Sequence, residues 1–69
     1  STKIFVFGKD PTLIFDIKDR LDEYLIISTN DINEGMTILN ANLDIHLAIL
    51  SIGSTKADGL QLLRYIRVC

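Results

Sequence analysis

Few residues of this chain are equipped for chemistry, and their spacing limits what they could do together. Gly8-Lys9 follows an apolar run, as glycine and lysine do in phosphate-binding loops. The GxxxxGK[ST] pattern, however, needs an earlier glycine and a hydroxyl directly after the lysine, where Asp10 stands here. No G-x-G-x-x-G follows that run either, so a dinucleotide site has no support. Ser51 with His46 is the one pairing that could make an activated nucleophile. If residues 43–52 form one strand, their odd separation sends the two side chains to opposite faces, and about 16 Å of extended chain lies between them. A hard cation needs several carboxylates converging on one point, and only Asp10, beside Lys9, falls where that could happen. The single Cys69 and single His46 can neither staple the domain nor build a zinc site.

These residues must be held by elements that the hydrophobic pattern outlines. Lys3 to Phe7, KIFVF, reads as a strand ended by Gly8. Asp10 followed by Pro11 predicts a helix start, the carboxylate accepting from backbone N–H groups and the proline suiting the first turn. Ile14, Ile17 and Leu21 then give an apolar stripe. Tyr24 to Ser28 reads as a second strand, and Asp31 with Glu34 as a capping box that opens a helix striped by Ile32, Met36 and Leu39. Leu43 to Ile52 is apolar at nearly every position, the pattern of a central parallel strand covered on both faces. Gly53 to Gly59 reads as a loop, and Leu60, Leu63 and Ile66 as the helical stripe of a last helix.

The order β-α-β-α-β-α predicts an α/β fold, with a parallel sheet between helices and right-handed crossovers. Ligand chemistry in such a sheet gathers beyond the carboxyl ends of the strands. Here those ends are Gly8-Lys9-Asp10, Thr29-Asn30 and Ser51 to Gly53. Hydrophobic residues make up 48% and charged residues 23%, which excludes disorder and a coiled coil. One domain over residues 1–69 is expected, and a chain this short buries only about 60% of the surface its unfolded form exposes. No apolar run approaches the roughly 18 residues that span a bilayer. The lack of a basic start followed by an apolar stretch predicts a cytoplasmic protein. Seven basic and nine acidic residues interleave for a net charge of −2, so no nucleic-acid or membrane contact is expected. The first residue is serine, which fits a chain processed or cut from a longer one.

Two stretches carry a resemblance. KIFVFGKDP resembles the opening of the receiver domain of bacterial two-component response regulators, where lysine and apolar residues lead into acidic residues and a proline-containing helix start. LDIHLAILSI, with the loop ending Asp58-Gly59 and the helix through Ile66-Arg67, is similar to that family's acceptor strand, loop and following helix. The resemblance covers essentially all 69 residues. It implies the first βαβαβα half of a flavodoxin-like, three-layer fold with strand order 2-1-3, stopping after the third helix.

Carried over residue by residue, the resemblance puts Ser51 at the phosphoacceptor position and Gly8 and Lys9 at the two acidic positions that hold magnesium. Asp10 is the one residual acidic residue there, and helix capping competes for it. Lys9 either supplies positive charge internally, by pairing with Asp10 or a carbonyl, or points into water. Ser54-Thr55-Lys56 stands where a proline commonly follows the acceptor strand. The resemblance therefore implies a degenerate receiver, not an enzyme, that binds no magnesium or other cofactor. Such a module works by phosphorylation-independent protein contact or dimerisation, through the third-strand edge or the third helix. Two other readings stand beside it: a phosphorelay receiver of a transcriptional or signalling regulator that accepts phosphate through non-standard residues, and an α/β enzyme or nucleotide binder using Ser51 and Lys9.

Overall fold

Residues 4–8 are the longest buried run among the described residues, and the rest of the fold is arranged around them. In the computed structural model, which describes residues 2–51 and 56–68, β1 (Lys3–Phe7) is followed by α1 (Pro11–Arg20), β2 (Leu25–Thr29), α2 (Ile32–Ala41), β3 (Ile45–Leu50) and α3 (Lys56–Val68). The strands form one parallel sheet in the order β2-β1-β3. This is the small parallel α/β fold that the alternation predicts, with the strand order 2-1-3 that the resemblance implies. The two crossovers run in opposite directions across the sheet, so right-handed connections put α1 on one face and α2 on the other.

Burial follows from that order. Ile4, Phe5, Val6 and Phe7 are all buried, being covered on both faces as only the central strand can be. Phe5 and Phe7 point to the α2 side, where they form the core with Leu62 of α3, against Ile32, Met36 and Leu39 of α2. Gly35 lets the two helices close on this core: a Cβ there would lie 3.3 Å from Leu62 Cδ1 and 3.5 Å from Phe5 Cζ. No residue of α1 is fully buried. Its half-buried Ile14 and Ile17 cover the other face, where strand alternation turns Ile4 and Val6.

Several expectations are corrected. The strand buried on both faces is β1, although the apolar run of β3 reads as the one so covered; β3 lies at the edge that the order 2-1-3 implies, with Leu47 half exposed. Pairing starts β2 at Leu25, whose N–H donates to Thr2 O, one residue later than the apolar run suggests. β3 starts at Ile45 because Asn42 caps α2 and Leu43, 90% exposed, belongs to the turn between them. Ile52 and Gly53 to Thr55 lie outside the described residues. The last helix begins at Lys56, so Asp58 and Gly59 sit in its first turn and not in a loop before it. Its inward residues are Gly59 and Leu62, whereas Leu60, Leu63 and Ile66 are exposed.

Candidate functional site

The carboxyl edge of the sheet is built from β1 outward. The Gly8 N–H donates to Thr29 O at 3.1 Å, and the Ser51 N–H donates to Phe7 O at 2.8 Å, so the ladders on both sides run one residue beyond the strands. This brings Gly8 and Ser51 against each other. A Cβ on Gly8 would stand 2.9 Å from Ser51 Cβ and 3.7 Å from Ser51 Oγ. Glycine is needed here for close approach and not for an unusual backbone, since no glycine among the described residues has positive φ.

Asp10 is engaged elsewhere. It is the N-cap of α1, and its Oδ1 accepts from Thr12 N at 3.0 Å and Leu13 N at 3.4 Å. Lys9 is exposed and lines an open recess of about 540 Å³ at the carboxyl ends of β1 and β2, together with Lys18, Ser28, Asn30 and Glu34. Asp58 is half-buried in the first turn of α3, where a carboxylate favours the helix N-terminus. Gly8 and Ser51 are thus the predicted site residues that come together. Asp58 and Gly59 belong to the helix wall.

A divalent cation does not fit this edge. The matched positions offer a glycine, an ammonium and a hydroxyl, and the nearest acidic residue in sequence already accepts two backbone N–H bonds. Among the described residues, no group of three His, Cys, Asp or Glu could hold a metal ion.

Two features escaped the sequence reading. The capping box at α2 forms by half: Asp31 Oδ2 accepts from Glu34 N at 2.8 Å, but the Asp31 N–H donates to Thr29 Oγ1 at 3.1 Å and not to the Glu34 carboxylate. The hydroxyl two residues before the cap was the available signal. The second feature is a bulge. Lys3 pairs with Ile45 but Ile4 pairs with Leu47, which leaves His46 as an extra residue in β3. Counting faces straight from 46 to 51 therefore fails, because a bulge resets the alternation. His46 and Ser51 remain apart because they lie toward opposite ends of the strand.

At the amino end of β3 a polar cluster fixes the turn. The Lys3 ammonium lies 3.1 Å from Asp44 Oδ2 and donates to Asn42 Oδ1 and Asp44 Oδ1, each at 3.2 Å. The hydrogen bond from Lys3 holds the Asp44 carboxyl below the usual aspartate range. Beside this cluster, a groove of about 320 Å³ opens between β3 and the helices, lined by Leu39, Leu43, Leu47, Ala48, Tyr65 and Ile66 among others. The Tyr65 hydroxyl donates to Asn40 Oδ1 across its rim.

Among the described residues, no helix is long and apolar enough to cross a membrane. No family model, curated protein or solved structure matches this chain.

Proposed function

We propose that this chain is a degenerate receiver-like module of the flavodoxin-like class, which works through protein contact and not by phosphoryl transfer or other catalysis. The observation that carries the reading is the contact between Gly8 and Ser51 at the boundary of β1 and β3. In a sheet of order 2-1-3 this boundary is the topological switch point, where ligand chemistry is expected. Here the two positions touch, and neither is a carboxylate. Serine supplies no negative charge for magnesium, and its hydroxyl, protonated unless a general base activates it, is a weaker phosphoryl acceptor than an ionised carboxylate. Asp10, the residue that could restore acidity, is engaged by α1.

The test is exposure of the full chain to magnesium with beryllofluoride, and separately to a small phosphodonor, read by backbone amide shifts and by intact mass. The expected result is no saturable shift at Gly8, Lys9 or Ser51 and no added phosphoryl group. A saturable magnesium-dependent response, or phosphorylation at Asp10 or Ser51, would replace this reading with that of a receiver accepting phosphate through non-standard residues.

A further inference from the structure

We infer that the recess at the carboxyl ends of β1 and β2 binds a small phosphorylated ligand that carries a flat ring, of which a mononucleotide is the representative. The phosphate lies between the Lys9 and Lys18 ammonium groups, and the ring stacks on Phe15. Such a site goes beyond the contact reading and does not depend on it.

The fold places the recess on the side of β1 away from β3. Strand order sets β2 on one side of β1 and β3 on the other. The walls come from the end of β1, from α1, from the end of β2 and from Glu34 of α2. No residue of β3 lines it, so the space does not depend on what borders that strand. Its volume of about 540 Å³ falls within the about 300–1,000 Å³ of small-molecule sites. The carboxyl ends of the strands are also where parallel α/β sheets hold their ligands.

Charge selects the sign of the ligand. Two ammonium groups share the recess with one carboxylate, that of Glu34. Among the described residues neither Lys9 nor Lys18 forms an ion pair, whereas Lys3 is paired with Asp44. Asp10 and Asp31 direct their carboxylates to the first turns of α1 and α2. Those caps also close the backbone route to a phosphate, because the Thr12, Leu13 and Glu34 N–H groups at the helix N-termini are already taken. An anion in this recess is therefore held by side chains. A phosphomonoester, carrying about two negative charges near neutral pH, matches two lysines acting as point charges.

The apolar wall selects the rest of the ligand. Phe15 is 68% exposed, more than any other aromatic side chain among the described residues. It serves no core, since Ile14 and Ile17 are the residues of α1 that cover the sheet. Phe15 stands three residues before Lys18 on α1, so ring and ammonium are neighbours on the helix surface. A bare anion would leave that ring in water, whereas a flat ring joined to the phosphate covers it. Ser28 and Asn30 add a hydroxyl and an amide, and the Glu34 carboxylate accepts from the hydroxyl or amino groups that a mononucleotide carries. The recess is open to solvent, so the complex is weak and exchanges rapidly.

The experiment is a titration of the isotope-labelled full chain, followed by amide shifts, with adenosine monophosphate, adenosine and inorganic phosphate in turn. Ionic strength is held constant, with a chelator present and beryllofluoride absent. The monophosphate should give saturable shifts at Phe15, Lys18 and Asn30, with affinity about tenfold or more above that of inorganic phosphate or adenosine. Phe15→Ala, at an exposed position where folding is not at stake, should weaken the monophosphate about tenfold and leave inorganic phosphate unchanged. Lys9→Gln and Lys18→Gln should each weaken both anions about two- to fivefold, as the loss of an exposed ion pair does. Absence of a saturable shift overturns the inference. So does a monophosphate bound no more tightly than inorganic phosphate, or one indifferent to Phe15→Ala, since either marks an ordinary cationic surface. These titrations contain no magnesium or phosphodonor, so this site and the contact reading fail separately.

Discussion

Replacing Gly8 with alanine tests whether the carboxyl edge is closed by contact with Ser51. The added Cβ would sit 2.9 Å from Ser51 Cβ, well inside the about 3.5–4.0 Å at which carbon atoms attract. Both atoms are attached directly to strand backbone, so neither can swing away and the strand ends must part. Overpacking of this kind costs about 1–3 kcal/mol. Gly8 has no positive φ, so alanine adds no backbone strain and gains about 0.4–1 kcal/mol by restricting the unfolded chain. A net loss of about 1–2 kcal/mol is expected, read in urea as a midpoint shift of about 1–2 M for a domain this small. The cleaner quantity is the coupling with Ser51→Gly, which removes the opposing Cβ. The unfolded-state gain of alanine and whatever bonding Ser51 loses appear on both arms of the cycle and cancel. What remains is the steric contact alone, and the double variant should recover about 1–3 kcal/mol over additivity. Strict additivity of the two substitutions would refute the close approach, and with it the account of why no side chain stands at position 8.

Two further outcomes follow from the packing and the charges. Leu62→Ala should cost about 2–5 kcal/mol because that side chain fills the space over Gly35 and Phe5. Leu63→Ala, at an exposed position, should change thermal stability little, and equal losses would mean that α3 is rotated from the orientation described. Lys3→Met should return the Asp44 carboxyl to the ordinary aspartate range in a carbon-detected NMR titration, since the hydrogen bond from Lys3 is the main cause of its lowered pKa. The sign follows: with its folded pKa below the unfolded value, Asp44 contributes stability above the unfolded value and loses it as pH falls through the folded one. An Asp44 titration unmoved by Lys3→Met would refute that assignment.

What was legible in the sequence was local. β1 occupies the predicted Lys3 to Phe7, because a β-branched and aromatic run ending in glycine has little else to become. Asp10 before Pro11 caps α1 as expected, and Asp31 caps α2. The face of α3 was not legible. Leu60, Leu63 and Ile66 have helical spacing, but so do Gly59, Leu62 and Tyr65, and a rotation of about 100° per residue separates one set from the other. The choice was made by Gly35, 27 positions earlier, where the missing side chain leaves room for one leucine. No pattern within α3 contains that information. The bulge at His46 was hidden for a similar reason, since it is a property of the pairing with β1 and not of either strand alone.

The candidate site shows the same division between what local sequence displays and what pairing decides. Residues at the carboxyl edge that looked able to do chemistry are, where their bonds are known, serving the backbone. Gly8 closes onto Ser51, Asp10 holds the first turn of α1, Thr29 accepts from Asp31 N, and Asp31 accepts from Glu34 N. Local sequence could reveal each cap, but it could not reveal that Gly8 and Ser51 meet across β1 and β3. The opposite holds at β3. Its apolar run has the composition of a strand covered on both faces, and the order 2-1-3 places it beside β1 alone among the described strands. One way to reconcile an interior composition with an edge position is for the sheet to continue beyond β3. The caps of α1 and α2 are thus local features that the sequence displays, whereas the place of β3 in the sheet is set by pairing with β1, which no stretch of β3 encodes alone.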